Sequence, residues 1–119
     1  MTNKLIIDTL EPLDIPVCFQ TYKGTKQPDG SIKIVYPYIT FFEYITQGEA
    51  FSDDDEEETG HYIQVDVWSD ASYTELVMRV NKLFKNAGFK RSKQADLYEY
   101  DTKIFHKGLR YFYLEDLTL

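Results

Sequence analysis

The chain has 119 residues, 43% of them hydrophobic and 16% aromatic, with a net charge of −7; a core of this size needs no staple, so a single domain, 1–119, is expected. Its lone cysteine, Cys18, excludes an intrachain disulfide. No apolar run approaches the roughly 20 residues of a membrane span, and Asp8 breaks the short one in "MTNKLIIDTL", which argues against a signal peptide and for a soluble protein made in a reducing cytoplasm.

Residues 2–11 are predicted to form a short helix, with Leu5, Ile6 and Leu10 on one face and Pro12 stopping it. "IPVCFQTY" (15–22) alternates as a strand, and "KGTKQPDGS" (23–31) reads as a loop turning on Pro28-Asp29-Gly30. "IKIVY" can open a strand, but Pro37 cannot donate to a ladder and marks an edge or a break. "YITFFEYITQ" (38–47) is apolar on both faces, which predicts a strand covered on both.

Next comes "SDDDEEETG", with six adjacent acids, Asp53, Asp54, Asp55, Glu56, Glu57 and Glu58. Its neighbours read as hairpin partners, so the run is expected at a mobile, solvated turn. "HYIQVDVWS" (61–69) is the clearest strand, with Ile63, Val65 and Val67 on one side and Tyr62, Gln64, Asp66 and Trp68 on the other. The second group marks either a contact face or packing under the N-terminal helix.

"SDASYTELVMRVNKLFKNAG" (69–88) is the clearest helix. Ser72 and Glu75 have capping-box spacing, and Leu76, Val80, Leu83, Phe84 and Ala87 form one stripe. Lys82 and Lys85 suit the C-terminal end of the dipole, and Gly88 suits a left-handed cap. Two strands, about 89–99 and 104–114, follow as a hairpin turning at "YDTK" (100–103). The order predicts an α+β domain: a mainly antiparallel sheet, a short N-terminal helix, one long helix packed on the sheet, and a C-terminal β-hairpin.

Charge is unevenly placed. Without the six-acid run, 14 acids face 13 bases. Nine Lys or Arg lie between Arg79 and Arg110, opposed only by Asp96, Glu99 and Asp101. An acidic spot and a basic half suit electrostatic pairing between partners. The candidate interface residues are therefore the acids 53–58 and the bases Lys82, Lys85, Lys90, Arg91 and Lys93. Calcium loops space their ligands at alternate positions and bend at Gly. This run is contiguous, which favours a solvated tip or a docking patch over a metal site.

Cys18, His61 and His106 are the only pieces for nucleophilic catalysis, and Cys18 reads as a core thiol in mid-strand. Scattered glycines offer no phosphate loop, and no Cys/His spacing suits zinc. No catalytic residue, metal or cofactor is expected, and overall acidity argues against stable nucleic-acid binding.

"YPYITFFEY" (36–44), "HYIQVDVWSDASYTELVMRVNKLF" (61–84) and "LYEYDTKIFHKGLRYFYLED" (97–116) resemble the tail terminator and tail-to-head joining proteins of long-tailed phages. In that family a P-x-I strand leads through a variable hairpin to a Q-V-D-V/I-W-S strand. A helix follows the Trp-Ser, and an aromatic R-x-F/Y hairpin closes the domain. The resemblance runs from about Ile15 to Leu117, with "IQVDVWSD" its most specific piece; the loop 23–31 and the acidic run lie outside it.

The resemblance implies a non-enzymatic virion protein at the tail-to-head interface. It forms a homo-oligomeric ring, commonly a hexamer, on the major tail tube protein. The ring ends tube polymerisation and receives the head-completion or connector protein, and DNA transits its lumen without specific binding. Two other classes compete. A small α+β ligand-binding or regulatory module would need a pocket lined by Tyr and Trp. An enzyme would need His61 or His106 to meet Cys18.

Overall fold

The computed structural model describes residues 2–52, 55–99 and 104–116. Helix α1 (Thr2–Leu10) buries Ile6 and Leu10 completely. The α-helix ends before Pro12, as expected. Pro12 itself sits in one turn of 3-10 helix, Glu11–Leu13, where its missing N–H costs nothing. That turn buries Leu13 and ends at Asp14, in the left-handed region at φ 53.

Strand β1 (Val17–Phe19) is shorter than the predicted 15–22, because Gln20 turns to φ 64. The predicted loop 23–31 contains structure: β2 (Thr25–Lys26) pairs antiparallel with β3 (Ile32–Lys33) around Gly30, at φ 90. The Asp29 carboxylate fixes this turn by accepting the N–H (2.9 Å) and hydroxyl (2.6 Å) of Ser31.

Four long strands build the main sheet: β4 (Tyr38–Ser52), β5 (Asp55–Ser69), β6 (Lys90–Glu99) and β7 (Ile104–Asp116). With β1 they run in the order β1-β4-β5-β7-β6. β1 is parallel to β4, and every other neighbouring pair is antiparallel. The fold is α+β with a mainly antiparallel sheet, as the element order predicts. The link 100–103, expected as a tight turn, lies outside the described residues.

The acidic run corrects the sequence reading. Asp53 and Asp54 lie outside the described residues, but Asp55, Glu56, Glu57 and Glu58 are strand, not loop. Asp55 pairs with Ser52, Glu56 with Phe51, and Glu58 with both Ala50 and Asp116. Charge repulsion does not decide backbone conformation here, because a ladder to β4, joined by β7 at Glu58, satisfies the main-chain groups.

Helix α2 (Thr74–Asn86) differs in detail from expectation. The Ser72/Glu75 capping box does not form: Tyr73 is the N-cap and makes no side-chain cap bond. Upstream, the Ser69 hydroxyl accepts the Ala71 N–H at 3.2 Å as the chain leaves β5. The buried line is Val77, Val80 and Phe84, with Leu76, Leu83 and Ala87 half-buried beside it. α2 shares one face of the sheet with α1, so its flanks are only partly covered.

Its C-terminus matches prediction. Gly88 stands at φ 95, its N–H bonds Lys85 O (3.1 Å), and the Phe89 N–H bonds Phe84 O (2.9 Å). That is a Schellman motif, and the Phe84 and Phe89 rings meet edge-on at 4.8 Å to complete it.

Both helices cover the face made by Ile39, Phe41, Ile63, Val65, Val67, Leu109 and Tyr111. β4 and β5 then run on beyond this core. No helix among the described residues is long and apolar enough to cross a membrane.

Candidate interaction surfaces

The pieces for nucleophilic catalysis do not come together. Cys18 sits on β1 opposite Thr40, and burial raises its thiol pKa. His61 faces the helix-covered side, whereas His106, on β7 opposite Trp68, faces the other. Both His61 nitrogens meet carboxylates: Nδ1 lies 2.5 Å from Glu43 Oε1 and Nε2 lies 2.9 Å from Glu115 Oε1. Burial alone would lower the His61 pKa, but the bonds to Glu115 and Glu43 and their charges outweigh it, and the net shift is upward. This cluster ties β4, β5 and β7 together. His106 Nε2 lies 2.8 Å from Asp66 Oδ1. Among the described residues, no group of three or more His, Cys, Asp or Glu could hold a metal ion.

The face of the sheet opposite the helices carries a layer of rings and polar groups. Tyr38 stacks on Trp68 (5.9 Å), and Trp68 on His106 (3.8 Å). The Trp68 indole N–H donates to Thr40 Oγ1 at 3.0 Å. Asp66 also accepts from the Gln64 amide (2.9 Å), whose oxygen accepts Arg110 Nε–H (3.2 Å). The Arg110 guanidinium in turn lies over the Tyr44 ring, 4.6 Å from its centroid. A Cβ at Gly108 would approach Asp66 Oδ1 to 3.4 Å, so the glycine leaves room for this network.

On this face of β4, Tyr38, Phe42 and Tyr44 are half-buried: Tyr38 packs against the rings of Tyr22 (4.6 Å) and Tyr36 (5.6 Å) from the segment before β4, and Tyr44 against Tyr62 (6.1 Å). One expectation is corrected here. Tyr62, Gln64, Asp66 and Trp68 do not pack under α1, which lies on the opposite face. Strand alternation separates the two faces, but it cannot say which one the helices take.

A groove runs between α2 and the strands β6 and β7. One part, about 350 Å³, is lined by Asn81, Lys85, Phe89, Lys90, Arg91 and Tyr111. A second part, about 470 Å³, shares Asn81 and Arg91 and adds Tyr73, Thr74, Val77, Met78 and Lys107. Phe89 and Tyr111 are buried and form an apolar floor. The Tyr111 hydroxyl donates to the Asn81 side-chain oxygen, and burial pushes its pKa up. Lys85, Lys90 and Arg91 are exposed at the rim. Lys85 and Lys90 make no ion pair with any described residue.

Of the five predicted interface bases, the fold thus gathers three. Lys82 is exposed on α2 but lines neither part of the groove. Lys93 lies further along β6, opposite Arg110. Asn81, Phe89, Tyr111 and Met78, which is 67% exposed, were not legible as site residues. They come from α2, the link between α2 and β6, and β7, and only an apolar residue left exposed on α2 could have hinted at them. Trp68 lines neither part, so the pocket of Tyr and Trp that a ligand-binding module would need is not this groove.

No protein-family model matches the chain, and no curated protein matches it in sequence.

Proposed function

We propose that this chain is a structural virion protein of a long-tailed phage, working at the junction of tail and head. In this reading a ring of copies, expected to be a hexamer, caps the tail tube, ends its polymerisation and presents the docking surface for the head connector. The observation that carries it is the β4–β5 hairpin, two strands of 15 residues each. The "YPYITFFEY" and "HYIQVDVWS" segments that resemble the family run into these two strands, and α2 follows shortly after Trp68-Ser69.

Charge placement supports the same reading. A ring contact is head-to-tail and joins two different patches. This chain carries an acidic end on β5 and a basic groove beside α2. The role needs binding surfaces, not catalysis or a cofactor. A net charge of −7 also suits a lumen through which DNA passes without being held.

Deleting the coding sequence from the phage that carries it tests the proposal. Filled heads should accumulate beside unjoined tails of uncontrolled length, and supplying the protein in trans should restore joined virions. Headed tails of normal length in its absence would overturn the reading.

A further inference from the structure

We infer that the acidic end of the β4–β5 hairpin of one copy docks into the groove beside α2 of the next copy. The inference rests on the proposed ring but concerns only the contact between neighbours. The groove has an apolar floor, Phe89 and Tyr111, under a cationic rim, Lys85, Lys90 and Arg91. A fitting occupant brings an apolar residue next to several carboxylates. The chain itself holds that pattern: Phe51 is followed by Ser52 and then by the six acids 53–58.

Geometry makes the contact intermolecular. Tyr111, on the groove floor, pairs with Ile63, and Asp55 lies eight residues further along β5. At about 3.3 Å per residue the acidic end is about 26 Å beyond the level of its own groove. While β5 stays paired with β4 along its length, and with β7 from Glu58 onward, that end cannot fold back. A neighbouring copy has no such constraint. The same pairing repeated from copy to copy is head-to-tail and closes a ring when the rotation allows. Exposed ion pairs are individually weak and screened by salt, so the contact is strongest when the whole cluster engages at low ionic strength.

Two full-length neutralised variants test this. The tip variant changes Asp53 to Glu58 to Ser, and the groove variant carries Lys85→Gln, Lys90→Gln and Arg91→Gln. Sedimentation at about 1 mM protein and low salt reads the association, a concentration that detects even millimolar affinity. The parent chain is expected to associate, and its Kd should rise about tenfold or more at high salt. Each variant alone should stay monomeric. Their equimolar mixture should form dimers and nothing larger, since one partner keeps an intact groove and the other an intact tip. A chain with both patches reversed in sign should associate again.

If a multiple variant loses cooperative unfolding, Lys90→Gln and Glu57→Gln carry the same comparison at smaller amplitude. A parent that stays monomeric, variants that associate like the parent, or a mixture that stays monomeric each overturns the docking. None of these touches the tail-junction reading, which the virion phenotype decides separately.

Discussion

Truncating Phe84 to Ala tests how this fold is held together. The side chain is fully buried, stacked on Tyr111 at 4.4 Å and edge-on to Phe89 at 4.8 Å. A buried aromatic ring removes about 150–250 Å² from water, and at about 25 cal/mol per Å² that is roughly 4–6 kcal/mol. Mutational series for Phe→Ala in cores give about 3–5 kcal/mol, cavity included. The two routes meet near 4 kcal/mol, or a fall in Tm of about 10–20 °C for a chain of this length. The helix terminus suffers as well, because Phe84 and Phe89 are the hydrophobic pair of the Schellman motif. Urea unfolding followed by far-UV circular dichroism measures the loss. Met78→Ala, on the same helix at a residue 67% exposed, is the control and should stay within about 0.5 kcal/mol. Half-buried Leu83→Ala should fall between them, at about 1–2 kcal/mol. A Phe84→Ala loss below about 1.5 kcal/mol, or equal losses at 84 and 78, would refute this account of the core.

Three further outcomes are expected. The folded-state pKa of His61 is raised above its unfolded value near 6.5. Its clamp on Glu43 and Glu115 therefore stabilises fully below pH of about 6.5 and is lost as pH rises through the folded value. NMR titration of the ring should give a midpoint above that of a free histidine, and His61→Gln should flatten this limb of the stability curve; a midpoint at or below the free value sinks the idea. Asp66→Asn and His106→Gln should be coupled in a double-mutant cycle by about 1 kcal/mol or more, because Asp66 is buried against the imidazole; strictly additive losses would mean that the pair does not interact. Gly88→Ala should cost about 1–2 kcal/mol from backbone strain alone, since φ is +95 and an added Cβ would meet only Tyr113 Cε1, at 3.9 Å; unfolding curves that overlay the parent's would contradict the left-handed cap.

Local patterns are what the sequence by itself determined. The alternation of Ile63, Val65 and Val67 against Tyr62, Gln64, Asp66 and Trp68 marked β5 and its two faces, because side chains on a strand repeat every second residue. Gly88 marked the end of α2, because few other residues tolerate a positive φ. The element order was enough for the α+β class. Tertiary structure decided which face of β5 the helices cover: Ile63, Val65 and Val67 join the core, while the other face sets the Tyr62 and Trp68 rings beside the polar network of Gln64 and Asp66. It also moved the buried line of α2 onto Val77, as α1 and α2 share one face of the sheet. It drew Asp55 to Glu58 into β5, where backbone pairing with β4 outweighs the repulsion of like charges. The groove was beyond sequence reasoning for a related reason. Asn81 comes from α2, Arg91 from β6 and Tyr111 from β7, and a surface made by three separated segments exists only once the chain has brought them together.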